Sequence, residues 1–397
     1  MVIAGEASGD WLAAELVIAL RETFRAEPVA PTFDLQPLTT GLAPRFFGAG
    51  GPHMAAAGIE LEFDMTAHSI IGLVEAVKSY PKFRRLFKRL FELARERQPD
   101  AIICVDFSGF NRRFAEHVKN YIRARSGLFQ DWQPKLIQYV SPQVWASRPG
   151  RAYQMARDYD LLLTTFGFEP GWYAERVPKL RVQFVGHPLV DRYGRDFGAP
   201  KRARPATELP LILLLPGSRP GELRRHLPVL IEAGKRIAAE QPAKFRMVLP
   251  SENLAAQARA AEVLPGLEIG VGGLKDALIE ADLAVTKSGT ITLECACFGV
   301  PAVVFYKTSF FTYQLGKQII NVNYIAMPNL LANEEIFPEF IQDAATPENL
   351  ASAALQILKD AERRTLLQAK MAQVAAGLGD PGASARAARA ILNLLEN

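Results

Sequence analysis

The sequence predicts an α/β protein with two Rossmann-like domains, each built on a doubly wound parallel sheet. Short apolar runs alternate with helical patterns along the chain, glycine-rich turns follow several of these runs, and 397 residues suit two domains. Apolar runs without polar alternation are typical of strands that are buried on both faces. Because ligands bind at the carboxyl ends of such strands, we expect the functional residues in the turns that follow them.

Composition narrows the class of protein. A chain with 49% apolar and 22% charged residues is an ordinary globular protein, and its net charge of +4 gives no reason to expect nucleic-acid binding. Cys104, Cys295 and Cys297 lie in apolar runs without metal-ligand spacing, which predicts buried free thiols in a reducing compartment. No basic leader and no apolar run long enough for a bilayer is present, so we expect a cytoplasmic location.

The first half contains the strands of one predicted sheet. The turn GEASGD follows the first strand, and Ser8 in this turn either caps the next helix or contacts a ligand. Proline-rich residues 27–44 indicate a surface insertion, and a linker is expected between His187 and Pro210. The domains are predicted as residues 1–188 and 189–397, with the terminal helices packing back on the first domain. The predicted strands are residues 1–4, 45–47, 101–105, 136–140, 161–165 and 182–185.

Asp106 directly follows the apolar run 101–105. A carboxylate at the carboxyl end of a parallel strand lies where ligands bind, so Asp106 is a candidate general base. A cap of the following helix explains the same residue about as well.

Residues 70–94 form a basic amphipathic segment. Its apolar positions include Val74, Val77, Phe83 and Phe87, and its cations include Lys82 and Arg85. Such a segment could lie in a lipid interface with its cations over anionic headgroups. A core-facing helix with a solvated charged face is the equally weighted alternative.

The second half repeats the alternation, with a predicted strand at Leu211–Leu215 and others near Phe245, Leu267, Asp282 and Ala302. Two of its turns are suited to anions because a glycine-rich loop leads into a helix. The first turn is Pro216-Gly217-Ser218-Arg219, and the second is Lys287-Ser288-Gly289-Thr290. Glu294 lies one turn into the second helix, where it either accepts ribose hydroxyls or is an ordinary surface glutamate. Asn329 is by default a turn former.

Six motifs give the sequence a specific resemblance. GEASGD, YVSPQVWASR, GHPLVD, LLPGSR, SGTITLE and MPNLLA occur in this order over nearly the whole chain. In this respect the chain resembles the lipid A disaccharide synthase family, whose GT-B architecture has two Rossmann-like domains facing across a cleft. The resemblance implies inverting transfer from UDP-2,3-diacylglucosamine to the 6-hydroxyl of 2,3-diacylglucosamine 1-phosphate. The products would be the β-1,6-linked disaccharide 1-phosphate and UDP.

The resemblance also implies roles for individual residues, without a cofactor or a metal. The implied catalytic residues are Asp106, Ser8 and Arg219. Residues implied to bind UDP are Gly217, Ser218, Arg219, Ser288, Gly289, Thr290, Glu294 and Asn329. Acceptor or membrane contact is assigned to Val74, Val77, Phe83, Phe87, Lys82 and Arg85. The expected location is peripheral, on the anionic inner face of the inner membrane, and the sequence leaves a homodimer open.

Two other functions use similar features. A UDP-N-acetylglucosamine 2-epimerase would need the same nucleotide site but no lipid surface, and the basic amphipathic segment argues against it. A nucleotide-sugar-binding regulatory protein without catalysis would not need Asp106, Arg219 and Glu294 together, although residue identity does not prove turnover.

Overall fold

The computed structural model describes residues 1–26, 44–66, 73–125, 127, 131–197, 205, 208–261, 264–309, 313–314 and 322–396, with only the backbone at 73–80 and 195. These form two compact units. Unit 1 is Met1–Asp191 with Gly379–Asn397, and unit 2 is Arg192–Leu378. The division falls just beyond the predicted boundary at residue 188, and the last helix belongs to unit 1. Among the described residues, no helix is long and apolar enough to cross a membrane.

Unit 1 contains a parallel seven-stranded sheet. Its strands are β1 Val2–Ala4, β2 Phe47–Gly50, β3 Glu60–Asp64, β4 Ala101–Val105, β5 Lys135–Tyr139, β6 Leu161–Thr164 and β7 Arg181–Phe184. They lie in the order β3-β2-β1-β4-β5-β6-β7. The order reverses between β1 and β4, which makes their carboxyl ends the topological switch point where ligands bind in such sheets.

Helices cover both faces of this sheet. They are α1 Ala7–Ala26, α2 Pro52–Ala56, α3 Leu73–Arg97, α4 Ser108–Arg125, α5 Val144–Ser147, α6 Arg151–Asp158, α7 Glu169–Ala174 and α8 Pro188–Tyr193, which crosses the unit division. The face of α1 that carries Leu12, Leu16 and Leu20 is buried, as its spacing predicts. A helix at 383–395 packs its alanines and leucines into the same core cluster as α1.

Unit 2 contains a parallel six-stranded sheet in the order β10-β9-β8-β11-β12-β13. Its strands are β8 Leu211–Leu215, β9 Lys244–Leu249, β10 Leu267–Val271, β11 Leu283–Lys287, β12 Ala302–Tyr306 and β13 Glu339–Ile341. The remaining helices are α9 Pro220–Glu240, α10 Glu252–Arg259, α11 Leu274–Glu280, α12 Thr290–Cys297, α13 Met327–Ala332, α14 Pro347–Lys359, α15 Ala361–Ala376 and, in unit 1, α16 Ala383–Leu395. The switch point of this sheet lies between β8 and β11.

The structure confirms the predicted α/β fold with two parallel sheets, and it corrects individual elements. Strands β3 and β13 are absent from the prediction because they lie at sheet edges and carry charged residues. The residues around Asn329, which was predicted as a turn former, are helix α13, with Pro328 in its first turn. The predicted insertion lies almost entirely outside the described residues.

Candidate functional site

The switch point of unit 1 brings the GEASGD turn next to Asp106. Ala4 pairs with Val105, so Gly5 and Asp106 both follow directly after paired strand ends. A Cβ atom on Gly9 would lie 3.6 Å from the Cβ of Asp106, which places the first turn of α1 beside the carboxylate. Ser8 is exposed in that turn, inside α1 rather than at its cap. The turn that carries Ser8 therefore lies next to Asp106, and both residues are candidates for the same site.

The backbone of this site is strained. Asp106 and Phe107 have φ angles of +48° and +44°, which non-glycine residues rarely adopt. A Cβ atom on Gly5 would lie 2.1 Å from Cδ1 of Phe107, so Gly5 makes room for the aromatic ring. Because Asp106 stands two residues before α4, the strain belongs to the loop and not to a helix cap. Strain of this kind often accompanies functional sites.

Two buried amides hold the strained loop in place. Asn111 Nδ2 donates to the Asp106 carbonyl oxygen at 2.9 Å, and Gln138 Nε2 donates to the same oxygen at 3.2 Å. The Tyr159 hydroxyl in turn donates to Gln138 Oε1 at 2.9 Å. Gln138 and Asn111 are functional candidates that were not identified from the sequence. A glutamine inside the otherwise apolar run LIQYV was the sequence signal that could have identified Gln138.

The pKa of Asp106 is perturbed. Burial raises the pKa of this carboxyl, and the nearby Glu6 carboxylate raises it further, while the Phe107 amide partly opposes both effects. A carboxylate whose pKa is raised binds a proton more readily than an ordinary aspartate. This property suits a general base.

The motif YVSPQVWASR follows β5 at the same edge of the unit 1 sheet. Trp145 Nε1 donates to Glu169 Oε1, and the Phe166 amide donates to Oε2, both at 3.2 Å. Burial raises the pKa of Glu169 to about 7. Glu169 thus fixes Trp145 and was not identified from the sequence.

At the switch point of unit 2, two glycine loops lie side by side. Leu215 pairs with Thr286, and the loops that follow carry Gly217 at φ +121° and Gly289 at φ +148°. A Cβ atom on Gly217 would lie 2.4 Å from Glu222 Oε2. Glycine is therefore required in the first loop by both the backbone and the space.

Glu222 connects the two loops of unit 2. Its Oε2 accepts the Ser218 amide at 3.0 Å, its Oε1 lies 3.2 Å from Lys287 Nζ, and Arg219 Nη1 lies 3.8 Å from Oε1. The loops thus gather two cations and an amide around one carboxylate. Such donors are those that bind a diphosphate. Lys287 and Glu222 add to the predicted set of Gly217, Ser218 and Arg219.

A buried histidine supports the first of these loops. His226 Nδ1 lies 2.6 Å from the Pro216 carbonyl oxygen, and Nε2 lies 3.1 Å from the Lys307 carbonyl oxygen and 3.3 Å from the Lys307 amide nitrogen. Burial lowers the pKa of His226, which favours the neutral ring. His226 therefore links the carboxyl ends of β8 and β12.

The second loop places Glu294 inside the fold. Only 7% of Glu294 is exposed, so the surface-glutamate interpretation is wrong. The Tyr193 hydroxyl donates to Glu294 Oε2. Burial raises the pKa of Glu294, and the bond from Tyr193 and the charge of Arg192 oppose that shift. Thr290 is exposed at the start of α12, and the Ser288 hydroxyl donates to the Ile325 carbonyl oxygen at 2.8 Å.

Asn329 is hydrogen-bonded inside unit 2. Its Nδ2 donates to the Phe337 carbonyl oxygen at 2.7 Å and to Glu339 Oε1 at 2.8 Å, and its Oδ1 accepts the amides of Ile336 and Phe337. The side chain is fully buried and its hydrogen-bonding groups are used inside unit 2. Asn329 therefore joins α13 to β13, and its implied contact with UDP stays a prediction.

Helix α3 also departs from the membrane prediction. The Phe87 ring lies 5.5 Å from those of Phe110 and Phe114, and Phe83 packs against the same core cluster of unit 1. These phenylalanines therefore face the core, whereas Lys82 and Arg85 are exposed. The side chains of Val74 and Val77 lie outside the described residues.

Comparison with known proteins places the chain in a family. The model of the lipid-A-disaccharide synthetase family matches residues 1–392. A lipid-A-disaccharide synthase from Geobacter metallireducens is 36% identical over 412 residues, covering 100% of this chain and 97% of the relative.

Solved structures agree on the fold. The crystal structure of the kitacinnamycin glycotransferase has a TM-score of 0.61 at 17% identity and covers 98% of this chain and 97% of its own. A putative UDP-N-acetylglucosamine 2-epimerase from Listeria monocytogenes has a TM-score of 0.58 at 16% identity, covering 98% of this chain and 93% of its own. At these identities the structures show the GT-B fold alone, whereas the sequence matches span the chain. The chain belongs to the lipid-A-disaccharide synthase family of glycosyltransferases.

Proposed function

We propose that this glycosyltransferase joins UDP-2,3-diacylglucosamine to 2,3-diacylglucosamine 1-phosphate, giving the β-1,6-linked disaccharide 1-phosphate and UDP. The observation that carries the mechanism is the carboxylate of Asp106 at the switch point of unit 1, in a strained loop whose Asp106 backbone carbonyl accepts hydrogen bonds from two buried side-chain amides. The family supplies the reaction, and the residues of this chain supply the roles below.

Asp106 takes the proton from the 6-hydroxyl of the acceptor as the oxygen attacks the anomeric carbon of the donor. The pKa of Asp106 is raised towards neutral pH, and a general base is most effective when its pKa lies near the pH of the reaction. The exposed hydroxyl of Ser8, in the adjacent turn, orients the acceptor by a hydrogen bond. Asn111 and Gln138 act through Asp106 and are positioning residues.

The leaving UDP gains negative charge as the bond to the sugar breaks. Arg219, Lys287 and the amides of the two glycine loops stabilise that charge, with Thr290 at the start of α12. Lys287 and Arg219 now lie beside Glu222, and the diphosphate would compete with that carboxylate for them. Glu294 accepts the ribose hydroxyls.

The family match favours this reaction over the epimerase and the inactive regulatory protein. An epimerase acts on its nucleotide sugar without an acceptor, whereas Asp106 and Ser8 offer a base and a hydroxyl for a second substrate. A regulatory protein would gain nothing from a strained loop around a partly buried aspartate.

We also propose peripheral contact with an anionic membrane, at the inner face of the inner membrane. Fewer residues support this contact than the sequence suggested. The exposed cations Lys82 and Arg85 support it, because each basic group near an anionic surface contributes about 1 kcal/mol. Phe83 and Phe87 are withdrawn from the lipid-facing set. A homodimer is also retained, and light scattering of the purified protein tests it.

The proposed reaction is tested by release of UDP from purified protein. UDP should appear only when both acylated sugars are present, together with one disaccharide 1-phosphate for each UDP. Release of UDP from the donor alone, or conversion of UDP-N-acetylglucosamine to its 2-epimer, would contradict the proposal. Omission of the acceptor is the matched control.

A further inference from the structure

A tyrosine at the beginning of unit 2 contacts the proposed ribose-binding glutamate. Tyr193 and Glu294 are 101 residues apart, and both are buried, with 8% and 7% of their surfaces exposed. The Tyr193 hydroxyl donates to Glu294 Oε2, and its ring packs edge-on against Phe298, with centroids 4.8 Å apart. The aromatic contact fixes the ring, and the ring fixes the hydroxyl.

The contact uses only one oxygen of the carboxylate. Within the described part of the chain, the other oxygen, Oε1, receives no hydrogen bond from the protein. An ionised carboxylate can accept several hydrogen bonds, so Oε1 remains able to accept from a hydroxyl of a ligand. A buried carboxylate held at one oxygen is thus oriented for a polyol at the other.

We propose that Tyr193 is a positioning residue for ribose recognition, and that it acts by holding the carboxylate of Glu294 in the orientation that accepts the 2′-hydroxyl of UDP. This inference rests on the proposed binding of ribose by Glu294. Without the tyrosine hydroxyl, the glutamate side chain would gain rotational freedom that binding would have to remove.

The surroundings of Glu294 define the expected pH dependence. Arg192 and the Tyr193 hydroxyl lower the pKa of Glu294 against the effect of burial, and Cys297 is a neighbouring titratable thiol. Removing the hydroxyl therefore raises the pKa of Glu294 further. The charged form of Glu294 is the one that binds the ribose. On acidification, the variant without the tyrosine hydroxyl should therefore lose its affinity for UDP at a higher pH than the wild type.

The test compares the affinities of UDP and 2′-deoxyuridine diphosphate by titration calorimetry. The wild type should prefer UDP, and Tyr193→Phe should reduce that preference by about tenfold, since one hydrogen bond to a charged group has about this effect. The acid limit of UDP binding should also move to higher pH. Tyr173→Phe is the matched control, because it removes a buried hydroxyl that contacts Ser141 Oγ in unit 1.

Two results would separate this inference from the proposed function. A wild type without preference for UDP would reject the ribose contact of Glu294 and, with it, the role of Tyr193. A wild type with a preference that Tyr193→Phe retains would overturn the role of Tyr193 alone. In a Glu294→Gln background, Tyr193→Phe should cause no further loss of preference, and an additive loss would contradict action through Glu294. This double-mutant comparison also separates positioning from a general loss of stability.

Discussion

The two switch points have the same topology and different chemistry. In unit 1, β1 and β4 end beside a partly buried aspartate with a raised pKa and a strained backbone. In unit 2, β8 and β11 end in glycine loops whose amide and cations surround Glu222. One edge is suited to accept a proton, and the other is suited to hold an anion.

The strand order of a sheet determines where a ligand binds, whereas the side chains at the strand ends determine the chemistry at that place. Each sheet reverses its strand order and opens a crevice at the strand ends. Unit 1 uses two side-chain amides to hold a backbone carbonyl, and unit 2 uses a carboxylate to join two loops. We expect substitutions at the two edges to affect different steps.

The largest effect is expected from Asp106→Asn. The change removes the proton acceptor and keeps the shape of the side chain, so turnover should fall by about 10² to 10⁴-fold. Steady-state rates with both substrates measure this effect. A variant with the wild-type rate would reduce Asp106 to a loop residue.

The pH dependence of turnover in the wild type also tests whether Asp106 is the base. A base must be deprotonated, so turnover should fall as the pH drops through the raised pKa of Asp106, which lies above the ordinary value for aspartate of about 3.9. Glu6→Gln removes a charge that raises this pKa, and it should move the acid limb of kcat to lower pH. An unchanged limb would exclude coupling between the two carboxyls.

Phe87→Ser tests whether the aromatic side of unit 1 is core or lipid-facing. Because Phe87 contacts Phe110 and Phe114, the change should lower the free energy of unfolding by about 3 kcal/mol. Chemical denaturation measures the loss. Lys82→Ser, on the exposed side of the same helix, is the control and should remain near wild-type stability. A stable Phe87→Ser protein with reduced vesicle binding would restore the lipid-facing interpretation.

Glu294→Gln tests the edge of unit 2. Loss of a charged acceptor for ribose hydroxyls should weaken UDP binding by about 1.5 to 3 kcal/mol. Calorimetry measures the affinity, and thermal unfolding checks that the variant is folded. Equal affinity in both proteins would exclude Glu294 from nucleotide recognition.

The smallest effect is expected from chelation. Arg219 and Lys287 offer positive charge at the proposed diphosphate site, where a metal ion would otherwise neutralise the leaving group. Turnover in EDTA should therefore equal turnover in its absence. Activity that disappears with EDTA and returns with magnesium would overturn the metal-free mechanism.

The sequence predicted the strands that are buried on both faces better than the site itself. Ala101–Val105 and Leu211–Leu215 begin and end at the predicted residues because an uninterrupted apolar run has few other structures available. The charged edge strand Glu60–Asp64 gives no such signal. Motifs identified Asp106, Arg219 and Glu294 as candidates, but their environments arise from tertiary contacts. The contact of Tyr193 with Glu294 and the use of Asn329 inside the fold could not be read from local patterns.

We expect proton transfer to depend on Asp106 in unit 1, and UDP binding to depend on the loops of unit 2. The most direct test is the dissociation constant of UDP for the Asp106→Asn protein, measured on the same preparation whose turnover is lost. We predict a value equal to that of the wild type. A loss of UDP affinity as large as that caused by Glu294→Gln would contradict it.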